Sequence, residues 1–96
     1  MLKHIVMWKI KEENKKESAM KIKTDLEALK GKISEIVDIE VGIDIDVIEN
    51  NYDVILVSTF KSEEDLNAYQ VHPMHVEAAK FVKSVALSRV AVDYLV

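Results

Sequence analysis

Cysteine is absent from the 96 residues. Disulfides, thiolate catalysis and sulfur-ligated metals are therefore excluded, and the absence fits a reducing compartment. Glycine occurs only at Gly31 and Gly42, too rarely to build a phosphate-cradling loop. A basic excess is also lacking. The net charge is −4, which leaves no footprint for nucleic acid. No apolar run approaches the length of a membrane span. Lys3, His4 and Lys9 interrupt the first ten residues, so no secretory leader is expected. A soluble cytoplasmic protein is the default expectation. Ser62 has neither a glycine elbow nor an adjacent histidine, which removes the usual serine-nucleophile pattern.

Proline occurs once, at Pro73, within Tyr69-Gln70-Val71-His72-Pro73-Met74-His75. It lacks an N–H, and its ring clashes with a preceding helical turn. It also pushes His72 out of the α region, and is at home at the first position of a new helix. His72 is thus predicted to join two helical pieces, with His75 in the first turn of the second. Two imidazoles and a phenol gather at this break.

The chain is 49% hydrophobic and 31% charged, a globular composition. Its length makes one domain over residues 1–96. A chain this short buries only about 60–70% of its unfolded surface, which favours help from a partner subunit. Residues Leu2–Ile10 alternate, with Leu2, His4, Val6, Trp8 and Ile10 on one side, as in a strand. From Glu17, apolar Ala19, Ile22, Leu26, Leu29 and Ile33 recur at helical spacing, with Gly31 a natural cap. Alternation returns over Ile36–Ile45. Tyr52–Phe60, apolar at the centre of both faces and so expected to be buried on both, and Val85–Tyr94 read as further strands. Ser62-Glu63-Glu64-Asp65 opens another helix by a capping pattern.

The order is β-α-β-β-α-β. It predicts an α+β, ferredoxin-like fold, with a four-stranded antiparallel sheet in the order 4-1-3-2 and the helices on one face. The more apolar side of the first strand should meet the helices, placing His4 beneath them with Val54 and Leu56 nearby. The opposite face carries Ile5, Met7, Ile55 and Val57, too apolar to leave wet. A second copy packed sheet against sheet, as a barrel-like homodimer, is the economical cover. Asp93 and His4 should share one end of the sheet. Whether Asp93 points toward the helices is left open.

Chemically, His75 has the intrinsic pKa of a general base near neutrality. Tyr69 could donate a hydrogen bond to a substrate carbonyl, and Asp93 could orient an imidazole. His4 could bind a substrate oxygen or be a core histidine. A purely structural account is also available, with Tyr69 half-buried, His72 capping the second helical piece and His75 bonding a backbone carbonyl. A third account makes His4, His72, His75 and Asp93 metal ligands, but their spacing matches no metal motif. No metal is therefore expected.

The residues Tyr69-x-x-His72-Pro73-x-His75, followed by Ser88-Arg89-Val90-Ala91-Val92-Asp93-Tyr94, resemble the stress-responsive dimeric α/β-barrel domain, the Dabb family. Lys3-His4-Ile5-Val6 and Val57-Ser58-Thr59-Phe60-Lys61-Ser62 fit the same pattern. The resemblance implies a ferredoxin-like protomer and a sheet-to-sheet dimer. The family includes stress-linked plant proteins and the plant polyketide cyclase that makes olivetolic acid. By resemblance to that cyclase, Tyr69, His75 and Asp93 would be catalytic. His4, Val6, Trp8, Leu26, Val54, Leu56 and His72 would contact a small apolar or aromatic ligand. Ile22 and Leu26 replace an aromatic lining of the cyclase, and Val54 stands where it has a histidine. The expected function is a small homodimeric Dabb protein with a pocket between helices and sheet. Its alternatives are a cofactor-free acid–base enzyme on a small carbonyl compound, or an oxygenase of the dimeric-barrel type.

Overall fold

A computed structural model describes residues 1–96. The first alternating stretch forms strand β1 (Leu2–Ile10), whose even-numbered residues are all buried. It lies between β3 (Val54–Phe60) and β4 (Ala86–Leu95), antiparallel to both. The remaining strand, β2 (Asp38–Ile43), pairs with β3, giving the order β2-β3-β1-β4. Read from the other edge, this is the expected 4-1-3-2. Three helices complete the fold: α1 (Lys15–Glu27), α2 (Glu63–Val71) and α3 (Pro73–Val85). The longest are 13 residues, and none is long and apolar enough to cross a membrane.

Register decides which side chains share a face, because one residue of slip would flip them all. Leu2 lies opposite Phe60, and Trp8 opposite Val54. On the other flank His4 lies opposite Asp93, and Trp8 opposite Arg89. Asp93 and Arg89 therefore belong to the helix-facing side of the sheet. The core of 18 buried apolar residues fills the space between that side and the helices.

Several boundaries differ from the sequence pattern. Helix α1 begins at Lys15, ahead of the expected Glu17, behind Asn14 in a left-handed conformation. Lysine and glutamate are good helix formers even where no apolar stripe marks them. The same helix ends at Glu27, whereas Gly31 takes its positive φ of 85° in the turn that follows. Leu29 and Ile33 continue the buried stripe from that turn, which is closed by Leu29 N–H to the Leu26 carbonyl. Strand β2 is shorter than its alternation, because its partner β3 starts only at Val54. Asp46 and Asn50, both at positive φ, turn the intervening loop.

Helix α1 also seals the outer edge of β2. Val41 N–H donates to Glu27 Oε2 at 2.9 Å, and Lys23 Nζ donates to the Val41 carbonyl at 2.7 Å. Lys23 and Glu27 themselves pair at 2.9 Å. The Val41 N–H and then the Lys23 ammonium hold the Glu27 carboxyl below its usual 4.5. This contribution is fully present above the ordinary carboxylate range. It is lost as pH falls through the lowered folded value. Glu27→Gln should cost about 0.5–1 kcal/mol at pH 7, a modest figure because the carboxyl is partly exposed. In chemical denaturation at stepped pH, the gap between wild type and variant should narrow as pH falls below the ordinary carboxylate range. A gap independent of pH would contradict this account.

Candidate functional site

The break between α2 and α3 rearranges the backbone hydrogen bonds. His72 takes φ −63° and ψ 133°, the extended conformation that a following proline demands. In a continuous helix Met74 N–H would bond to the Gln70 carbonyl. Here Met74 N–H donates instead to His72 Nδ1 at 3.1 Å. The Gln70 carbonyl is thereby freed, and His75 Nδ1 takes it at 3.0 Å. A carbonyl can only accept, so Nδ1 carries the proton. In the neutral ring the lone pair is then on Nε2. Burial pushes the His75 pKa below 6.5, against the Gln70 bond, and the charges of His4, Lys83 and Arg89 act in the same direction as burial. His75 is thus held in its neutral, proton-accepting form at pH 7.

Beneath it on the sheet, His4 is 4% exposed. Its Nδ1 lies 2.5 Å from Asp93 Oδ1, a contact that ties β1 to β4. Ser58 Oγ donates to the His4 carbonyl at 3.0 Å. Between these groups sits Tyr69, fully buried rather than half-buried. Its ring centroid is 4.3 Å from that of His75, 5.0 Å from Phe60 and 6.4 Å from His4. Burial raises the phenol to about 12, so it stays protonated. Its hydroxyl is the one buried side-chain polar atom without a hydrogen-bond partner.

A cavity of about 400 Å³ opens beside the two imidazoles. The sheet supplies His4, Val6, Trp8, Leu56 and Arg89 to its walls. The helices supply Leu26, Gln70, His75, Ala79, Val82 and Lys83. Phe81 does not fill this space; it lies on another side of α3, with Lys21 Nζ 5.0 Å from its ring centroid. The volume lies within the range that small organic ligands occupy. A depression of similar size on the open sheet face, about 430 Å³, is lined by Met7, Gly42, Tyr52 and others but by no histidine.

The Stress responsive A/B Barrel Domain, Dabb, matches residues 2–96. The chain belongs to this family. It is 44% identical over 41 residues to the stress-response A/B barrel domain-containing protein DABB1 of Arabidopsis thaliana. That match spans 43% of this chain and only 20% of the plant protein. A dimeric protein of unknown function and ferredoxin-like fold from Bacteroides fragilis superposes with a TM-score of 0.91. It is 35% identical, over 99% of this chain and 95% of its own. A hydroxynitrile lyase from Passiflora edulis has a TM-score of 0.85 at 21% identity, over 99% and 92% of the two chains, a likeness of fold alone.

In this Dabb chain, His4, Val6, Trp8, Leu26 and Leu56 line the cavity together with His75. Val54 is buried in the core, away from it. His72 is occupied as the cap of α3 and is also off the wall. Tyr69 packs against His75 without being part of the wall, and Asp93 reaches the site only through His4. His4, His72, His75 and Asp93 do not converge into a metal-binding set. Gln70, Ala79, Val82, Lys83 and Arg89 were missed as wall residues. The steps from His75 to Ala79, Val82 and Lys83 trace one helical face. Arg89 shares a strand face with Asp93, being four residues away.

An unpaired buried hydroxyl is a cost to the folded state. Tyr69→Phe should therefore raise stability by about 1 kcal/mol, against the usual direction of core substitutions. Urea denaturation of the two proteins checks this. A clear loss in the variant would show that the hydroxyl is satisfied in solution.

Proposed function

We propose that this Dabb protein binds a small, largely apolar carbonyl compound in the cavity and acts on it by proton transfer through His75. The observation that carries this reading is the His75–Gln70 bond, which fixes the tautomer and leaves Nε2 free on a residue of the cavity wall. In the step envisaged, a C–H bond α to the carbonyl breaks. The proton goes to Nε2, and the electron pair moves onto the carbonyl oxygen as an enolate. The imidazolium so formed keeps its Nδ1–H on the Gln70 carbonyl, which favours the charged ring. Tyr69, packed against the His75 ring, is fully buried and off the cavity wall, so its unpaired hydroxyl would reach a ligand oxygen only after a shift of the side chain. His4, bonded to Asp93, forms part of the sheet side of the wall. Val6, Trp8, Leu26 and Leu56 supply the apolar floor.

Exchange of α-protons of phenylacetone in D₂O, followed by NMR, tests the proton transfer directly. Wild type should accelerate the exchange over buffer, and His75→Ala should lose about 100-fold of that acceleration. Equal rates for the two would leave His75 a structural role only.

We infer further that the protomer pairs with a second copy through the open face of the sheet. There Ile5 lies between Val57 and Val92, and Met7 between Ile55 and Val90. Ile5, Met7, Ile55 and Val57 are half-buried, while Val90, Val92 and Tyr94 are exposed. Such a continuous apolar surface is unusual on a lone protomer. The Bacteroides relative is described as dimeric. Light scattering should give twice the protomer mass of 10.9 kDa. Met7→Asp should shift it toward the protomer mass while leaving the helical circular dichroism in place. A wild-type monomer at micromolar concentration would refute the pairing.

A further inference from the structure

The charge around the cavity is one-sided. Its walls hold Lys83, Arg89 and two imidazoles, but no carboxylate. This is unexpected in a chain with 17 acidic and 13 basic residues. Arg89 is the chain's one arginine. It projects from the helix-facing side of β4, at the register position opposite Trp8. The nearest acid on that face of the strand, Asp93, is already engaged by His4 Nδ1. Lys83 lies on α3 across the opening, and it too has no acidic partner. Lys15, Lys21, Lys23, Lys30 and Lys80 pair with carboxylates, and the other lysines without an acidic partner, Lys3, Lys9, Lys11, Lys16, Lys32 and Lys61, all lie off this wall. Both wall cations are close enough to His75 to act on its charge.

We propose that Arg89, assisted by Lys83, is an anion subsite that selects ligands carrying a carboxylate. The inference names the substrate class of the same cavity and so rests on its reading as a ligand site, though not on proton transfer by His75. A guanidinium offers a planar fork that matches a carboxylate in two parallel hydrogen bonds. Apolar Val6, Trp8, Leu26 and Leu56 line the same cavity as that fork and the base. A ligand spanning both is a compact aryl or alkyl acid, its carboxylate at the mouth and its apolar body inside. The cavity of about 400 Å³ sets an upper limit on that body. Neutral His75 adds no charge of its own to this preference.

The test compares 3-phenylpropionate with its neutral isostere 3-phenylpropionamide, by calorimetry at pH 7 and low salt. Wild type should bind the acid at least about tenfold more tightly than the amide. Arg89→Gln should abolish the difference, and Arg89→Lys should keep part of it. Lys83→Gln should reduce it. Arg89 is exposed on an edge strand, so the variants should fold, to be checked by circular dichroism. His75→Ala should retain the preference for the acid. Equal binding of the two probes by wild type, binding of neither, or an unchanged preference in Arg89→Gln would overturn the proposal. If the acid preference holds while His75→Ala exchanges phenylacetone protons like wild type, the base reading alone fails. If exchange depends on His75 while the acid preference is missing, the anion subsite alone fails.

Discussion

A proline ring cannot continue a helix, and much of the site follows from that constraint at Pro73. The helix stops at Val71, the chain crosses an extended His72, and a new helix starts in a new direction. Two backbone groups of the interrupted ladder then need partners. An imidazole answers each one, His72 for the Met74 N–H and His75 for the Gln70 carbonyl. The two histidines flanking the proline therefore have different duties despite their proximity. One is spent on the cap. The other is oriented by its bond and keeps a free nitrogen.

The cavity arises from incomplete coverage of the sheet. The helices bury the inner faces of β2, β3 and β1, while β4 is exposed from Leu87 onward. The gap between α3 and the edge strand is where the wall residues meet. With little helix packing to hold it, β4 depends on its pairing with β1 and on the His4–Asp93 contact. That contact gives His4 a stabilising duty as well as a place in the site. Its burial beneath the helices agrees with either role.

The architecture was legible because the two faces of a strand meet different surroundings at the positions that matter most. Alternation at Leu2–Ile10 records that contrast directly, whereas Tyr52–Phe60 is apolar at the centre of both faces. Where pairing rather than burial sets an end, as in β2, the pattern runs past the structure. The direction of Asp93 could not be read, because it depends on the register of β4 against β1, which no local pattern encodes. Arg89 and Lys83 escaped notice for a related reason. An exposed cation at a cavity mouth has the same local sequence signature as one in bulk water. The structural account of His75 does not exclude the chemical one. Its bond to a backbone carbonyl is also what sets its tautomer.

The two edges of the sheet are chemically unequal. At the middle of β2 the outward N–H and carbonyl of Val41 are already bonded by Glu27 and Lys23. β4 carries no such seal from a helix. Strand-by-strand growth of an aggregate needs each added chain to present a fresh edge as it docks on the last. Growth outward from β2 is therefore interrupted at Val41, whereas β4 presents an edge that no helix seals.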